Sequence, residues 1–283
     1  VISTSADSDY ELVTVQSGAR SLRDRACGET FHPVIGPMQE ATSLHVEGQR
    51  LVERAQASPS PMVIWDVGLG AAANAIAALE ALRTAETPVE LHSFDCTLAP
   101  LAFARAHATE LGYVVPWQEP VDALLETGSW RDARSRAHWI VHRGDFRDRM
   151  NDAPIPQAIL YDPYSARTNP ELWTLEHFTA LRTLLGGGVD CMLTNYTRST
   201  AIRVSLLLAG FFVGRGGATG EKDETTAAAT QRSLLVPPLE AAWLKRVQRS
   251  TQGAPLRAAS LDGGPIKAED WAALCAHPQF AES

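Results

Sequence analysis

Met62-Val63-Ile64-Trp65-Asp66-Val67-Gly68-Leu69-Gly70-Ala71-Ala72-Ala73-Asn74 is the stretch whose reading decides the fold. Its first six residues are almost continuously apolar, as in a strand buried on both faces. Two glycines then allow a tight turn with close backbone approach, and Ala71–Thr84, rich in Ala and Leu, reads as a helix. The alternation continues along the chain. Strands are expected at Val89–Phe94, His138–His142, Ala158–Tyr161, Val189–Tyr196 and Phe211–Val213, with a seventh near Thr225–Leu235. Between them Leu98–Leu111, Pro170–Leu185 and Arg198–Ala209 read as helices, and Trp117–Arg136 as loop and helix. Asn169 is expected to cap the second of these helices, with Pro170 at its first position and Gly186–Gly188 as its stop. Strands separated by helices give an α/β class: a doubly wound, seven-stranded, mostly parallel sheet.

The flanks read differently. Residues 1–60 form an N-terminal extension and lid, with strand-like pieces at Tyr10–Val15 and Thr42–Val46, closed by the Ser/Pro cluster Ala57–Pro61. Residues 61–237 make the sheet domain, and 238–283 a C-terminal helix (Leu239–Arg249) followed by a loose Gly/Pro/Ala tail. The chain has 283 residues, 45% of them hydrophobic, enough for a large core. Its longest apolar run, Val204–Gly214, is half of the ~20 residues a membrane span needs. No basic segment followed by an apolar one opens the chain, and Cys27, Cys96, Cys191 and Cys275 are scattered, without metal-ligand spacing. The expectation is a cytoplasmic protein with no membrane segment, no disulfide framework and no metal. A net charge of −8 disfavours a surface that coats nucleic acid. Local arginine clusters remain, between Arg131 and Arg149 and at Lys245, Arg246 and Arg249.

The residues suited to chemistry fall at the ends of the expected strands. Asp66, Gly68 and Gly70 close the first, and a dinucleotide fingerprint would want a third glycine where alanine stands. Asp95 ends the second strand, where an acid accepts hydrogen bonds from both hydroxyls of a ribose. Asp145 follows the third strand, a position where methyltransferases of this architecture hold the adenine amino group; it tilts the cofactor from NAD towards S-adenosylmethionine. The fourth strand ends in Tyr161-Asp162-Pro163-Tyr164-Ser165. A carboxylate, a rigid corner and a phenol together are similar to the Asp-Pro-Pro-Tyr corner of methyltransferases that act on exocyclic amines.

With these residues in hand, the chain resembles the tRNA 5-methylaminomethyl-2-thiouridine methyltransferase family, in its methyltransferase half. The resemblance rests on Gly28-Glu29-Thr30-Phe31-His32-Pro33 with Gly36 and Glu40, on Gly68-x-Gly70 with Asn74, and on Gly144-Asp145. It continues through Asp162 and Asn169-Pro170-Glu171-Leu172-Trp173-Thr174, then Thr194-x-Tyr196-Thr197, Arg203, Gly220, Lys222 and Glu224. It implies a class I methyltransferase fold and methyl transfer from S-adenosylmethionine to the amine of 5-aminomethyl-2-thiouridine at the tRNA wobble position. Glu29, Asp66, Gly68, Gly70, Asn74, Asp95, Asp145 and Asp162 are then the expected cofactor-binding residues. Many members are fused to an FAD-dependent oxidoreductase that prepares the amine, so a separate oxidoreductase is the implied partner beside tRNA. The glycine turn departs from the Gly-x-Gly-Thr-Gly-like run expected there.

The chemistry this implies is attack of a neutral amine on a sulfonium methyl. Such an amine titrates near ~10, so the site must remove a proton. Asp162 is the expected catalytic group, binding the amine and accepting its proton, with Tyr164 beside it. His32, Tyr196, Arg198, Arg203 and Lys222 are the expected substrate contacts, the two arginines towards phosphate. Three alternatives stand beside this reading: an aminopropyltransferase or small-molecule amine methyltransferase of the same fold, an NAD-dependent oxidoreductase, and a non-catalytic cofactor-binding subunit. The first usually pairs two acids after the fourth strand, where this chain has Asp162 alone.

Overall fold

All six residues of Met62–Val67 are buried, and they form the strand from which the rest of the fold is laid out. The computed structural model describes residues 9–58, 61–134, 136–220, 223–259, 261 and 263–281. The strands are β1 (Tyr10–Thr14), β2 (Arg20–Asp24), β3 (Met62–Val67), β4 (Val89–Asp95) and β5 (Ser129–Arg131). They continue with β6 (Ala137–Arg143), β7 (Ala158–Tyr161), β8 (Met192–Asn195), β9 (Phe212–Gly216) and β10 (Thr225–Ala229). β1 and β2 form a separate antiparallel hairpin; the other eight make one sheet in the order β5-β6-β4-β3-β7-β8-β10-β9. The five inner strands β6, β4, β3, β7 and β8 are parallel, while β5, β9 and β10 pair antiparallel. The doubly wound, mostly parallel α/β class read from the sequence is the observed one.

Alternation along β3 separates two cores. Ile64 packs on one face with Leu91, Ala75 and Leu79, beneath the helices Ala73–Leu82 and Ala99–Ala106. Trp65 and Val67 pack on the other with Phe94, Phe178 and Leu206, beneath Leu175–Leu185 and Thr200–Leu208. Burying both faces requires the unbroken apolar run, because no residue of the strand is left for water.

The structure differs from the expected elements in several places. The sheet has eight strands rather than seven, because Ser129–Arg131 adds an antiparallel edge to β6; three residues are too short to show a period. Thr42–Val46 is no strand. It lies in a π-helical turn, Thr42–Glu47, that continues the helix Pro37–Ala41 and buries Leu44, His45 and Val46 in succession. Asn169 makes no side-chain cap: Pro170–Trp173 is a 3-10 turn, and Thr174 caps the helix Leu175–Leu185 by accepting from the His177 N–H at 3.2 Å. Leu98–Leu111 breaks at His107 into two helices. The tail carries a further helix, Ala268–Cys275, whose Leu274 enters the second core.

Candidate active site

The chain leaves β3 for β4 and β6 on one side and returns to β7 and β8 on the other, so the strand order reverses beside β3. Ligands of open α/β sheets bind at the carboxyl ends of strands flanking such a reversal. A cavity of about 610 Å³ opens there, within the ~300–1,000 Å³ usual for small-molecule sites. Gly68, Gly70, Asn74, Asp95, Asp162, Tyr164, Tyr196, Glu29 and His32 all line it.

The floor is built by close backbone approach. Gly68 has φ +89°, and a Cβ there would sit 2.6 Å from the Asp162 carbonyl oxygen and 3.0 Å from the Pro163 Cα. Glycine at 68 is what allows the β3 turn and the β7 corner to touch. The corner thereby holds the Asp162 carboxylate beside the turn, where Oδ2 accepts a 2.8 Å hydrogen bond from Asn74 Nδ2. His32 Nε2 lies 3.9 Å from the same oxygen, and both side chains are nearly buried. The Asn74 Oδ1 is buried without a protein partner among the described residues.

Asp95, at the end of β4, accepts from the Gly70 N–H at 3.0 Å and the Thr97 N–H at 3.2 Å. Burial raises its pKa, and these N–H groups pull it back only in part. Asp66 lies below the cavity, fully buried, with Oδ2 accepting from Ser93 Oγ at 2.7 Å, so it is not a wall residue. Burial pushes its pKa up to about 7; the Ser93 bond opposes this, while Asp162 and Asp95 add to it. Asp95 and Asp162, at the ends of the strands on either side of β3, bring two carboxyl groups to the wall, an arrangement that favours a cationic ligand. Asp145 sits at the rim rather than in the wall: it caps the turn Phe146–Arg149 and pairs with Arg147 at 2.5 Å. The Arg147 hydrogen bonds hold its carboxyl below the usual range.

A flap from the N-terminal hairpin closes the cavity. Glu29 accepts from Ser165 Oγ at 2.6 Å, from the Ser165 N–H at 3.2 Å and from Thr168 Oγ1. Burial works to raise the Glu29 pKa, but those hydrogen bonds outweigh it and the net shift is downward. Its oxygens are thus engaged by the β7 corner, whereas the sequence assigned Glu29 to the cofactor. Tyr164 donates to Asp24 Oδ2 at 2.8 Å and meets the Phe31 ring edge-on at 5.7 Å. Phe31 in turn lies over Gly70, where an added Cβ would be 3.0 Å from its Cε2. Tyr164 therefore anchors the flap as well as lining the cavity. Tyr196 donates to the Pro163 carbonyl at 3.3 Å.

Arg203 is a correction. It is 1% exposed, and its guanidinium donates to Thr226 Oγ1, Glu224 Oε1 and the Thr225 carbonyl, so it braces β10 and no phosphate can reach it. Arg198 is exposed on the loop after β8. Lys222 lies outside the described residues. Sequence reasoning passed over Asp24 and the apolar walls Phe94, Pro100 and Phe146. Asp24 carried no signal, and the walls look like any core residue. Of the arginines between 131 and 149, Arg147 and Arg149 are paired with Asp145 and Asp152.

A protein-family model described as S-adenosyl-L-methionine-dependent methyltransferase matches residues 130–231. Over 227 residues the chain is 27% identical to the tRNA 5-methylaminomethyl-2-thiouridine biosynthesis bifunctional protein MnmC of Methylibium petroleiphilum, covering 75% of this chain and 33% of that protein. The structure superposes on the crystal structure of MNMC2 from Aquifex aeolicus with a TM-score of 0.70 and 25% identity, covering 94% of this chain and 84% of that one. The chain is similar in sequence to MnmC and in fold to MNMC2. Its cofactor is S-adenosylmethionine. The chain thus spans most of the MNMC2 structure and a third of the length of the curated relative it matches. No described helix is long and apolar enough to cross a membrane.

Proposed function

We propose that this chain methylates the amine of 5-aminomethyl-2-thiouridine at the tRNA wobble position. The observation that carries the reading is the Asp162 carboxylate, held by Asn74 at 2.8 Å in the wall of a carboxyl-lined cavity. The likeness to MnmC and MNMC2 supports the substrate.

The residues present fit S-adenosylmethionine. Asp95 at the end of β4 suits the ribose hydroxyls, Phe94, Pro100 and Phe146 suit an adenine ring, and Asn74 Oδ1 is a buried acceptor still lacking a donor. Gly68 and Gly70 keep the turn open to close approach, and Asp145 guards the rim. When bound, the cofactor supplies an electrophilic methyl group on a sulfonium. The chain supplies position: the Asp162 carboxylate receives the cationic amine and orients it, Tyr196 and Tyr164 border its entry, and the flap excludes water. Orientation of this kind can supply much of a methyl-transfer rate. Arg198 is exposed two residues beyond the cavity-lining Tyr196, and the exposed Lys245, Arg246 and Arg249 extend the surface available to phosphates. The reading implies a cytoplasmic enzyme working after an FAD-dependent oxidoreductase.

Asp162→Asn tests it. The variant keeps shape and an acceptor for Asn74 but loses the charge that receives an ammonium. Methyl transfer to aminomethylated tRNA, followed by mass spectrometry of wobble nucleosides, should fall by on the order of 10²-fold. Affinity for S-adenosylmethionine by calorimetry should change by less than threefold, ~0.6 kcal/mol. Turnover at the parent rate would reduce Asp162 to a turn residue.

A further inference from the structure

Removing the substrate's proton is a separate task from holding the substrate, and Asp162 is poorly matched to it. As a class, an ordinary imidazole is a stronger base than an ordinary carboxylate by roughly two to three powers of ten, and so the better match to an alkylammonium. One imidazole lines the cavity within reach. His32 Nε2 is 3.9 Å from Asp162 Oδ2, and its side chain is 11% exposed. A nitrogen ~2.9 Å from both atoms, an ordinary hydrogen-bond separation, would see them roughly 85° apart, so two hydrogens of one ammonium reach both with bonds bent by about 12°.

We propose that His32 is the group that takes the proton from the incoming ammonium, with Asp162 holding that ammonium in place. The inference rests on the amine-methyltransferase reading. In the step, one N–H bond of the ammonium breaks and an Nε2–H bond forms on His32. The electron pair stays on the substrate nitrogen, which becomes a neutral amine. The imidazolium is then 3.9 Å from Asp162, and Glu40 on the helix Pro37–Ala41 also favours its charge. His32 passes the proton to solvent when the flap opens.

Two features indicate that the ring is placed for this purpose. His32 has φ +47°, a conformation uncommon for a residue with a side chain and kept where the surroundings over-determine it. The surroundings also keep the ring neutral and ready to accept. Burial lowers its pKa, Glu40 draws it back in part, and His45 of the neighbouring π-helical turn is itself held neutral by burial, with its pKa down at about 3. Tyr196, which lines the same cavity, has its pKa pushed far up by burial and does not compete.

The test is the pH profile of kcat/KM on aminomethylated tRNA, for the parent, His32→Gln and His32→Asn. An enzyme that removes the proton itself takes the abundant ammonium, so the parent profile should be flat from pH 7 to about 9.5. A variant lacking the base must wait for neutral amine. Its profile should climb tenfold per pH unit, from a deficit of roughly 10²-fold at pH 7. A merely structural role would lower the curve without changing its slope. Nitrogen-15 NMR of the free enzyme gives a readout apart from turnover: His32, assigned by its loss in either variant, should be a neutral imidazole at pH 7.5, with a lower midpoint in Asp162→Asn. A flat profile in the variants, a rising profile in the parent, or an imidazolium at pH 7.5 would each overturn the assignment. Absence of methyl transfer by the parent would instead remove the amine reading, and the inference with it.

Discussion

Gly68→Ala probes the contact on which the site is built. The substitution asks two things of the backbone. Alanine at φ +89° is strained, at ~1–3 kcal/mol. The new Cβ would also lie 2.6 Å from a carbonyl oxygen and 2.9 Å from its carbon, both backbone atoms that no rotamer change can move. Relieving this means displacing the Asp162–Pro163 corner, an overpacking cost of ~1–3 kcal/mol. A combined loss of about 4 kcal/mol lowers the melting temperature by roughly 8–16 °C in a chain of this size. Calorimetric melting measures the stability, and titration of S-adenosylmethionine measures the site, which should lose affinity because the corner has moved. Gly70→Ala is the control: its Cβ would meet the end of the Phe31 ring at 3.0 Å, a side chain that can swing aside. That variant should melt roughly 2–8 °C below the parent, from the ~1–2 kcal/mol cost of a left-handed alanine. If Gly68→Ala melts within about 2 °C of the parent, the turn and the corner are not in contact and the site's geometry has been misjudged.

Two further outcomes follow from buried charge. Asp66 has a folded-state pKa of about 7, above the unfolded value near ~3.9, so the folded chain holds the extra proton between these values and stability falls as pH rises through that window. The loss is on the order of 4 kcal/mol; Asp66→Asn should flatten the melting temperature between pH 5 and 7.5, and an unchanged slope would show that Asp66 is not the group titrating. Arg203→Ala leaves Glu224 with only the exposed Arg215 and Arg246 and strips donors from β10. It should cost about 3 kcal/mol by denaturant unfolding, yet leave the salt dependence of tRNA binding as it was; a flatter salt dependence would return Arg203 to the RNA surface.

Much of the architecture was legible because it obeys local rules. β3 is buried on both faces and reads as a continuous apolar run, and Asp95 and Asp162 stand out because they end such runs. β5 and the turn at Thr42–Glu47 were missed for the opposite reason: the first is shorter than any period, and the second has the composition of a strand while its burial comes from neighbours. Arg203 was misread because helical periodicity locates a Cα but not the direction of a long side chain, which here folds inward to β10. The flap was legible only as a segment. Its bonds, Glu29 to Ser165 and Tyr164 to Asp24, span 136 and 140 residues, and no spacing rule reaches that far.

That same separation sets an order of events on the ribosome. Glu29 is made early, and the hydroxyl it binds emerges 136 residues later. At ~5–20 residues per second, the segment carrying Phe31 and His32 waits roughly 7–27 s for the corner it will cover. During that interval β3, β4 and their helices can begin to pack, but the cavity has no roof and one of its walls is missing. Enclosure of the cofactor therefore waits for Ser165, and a chain arrested before that residue would carry the glycine turn without the ability to enclose anything over it.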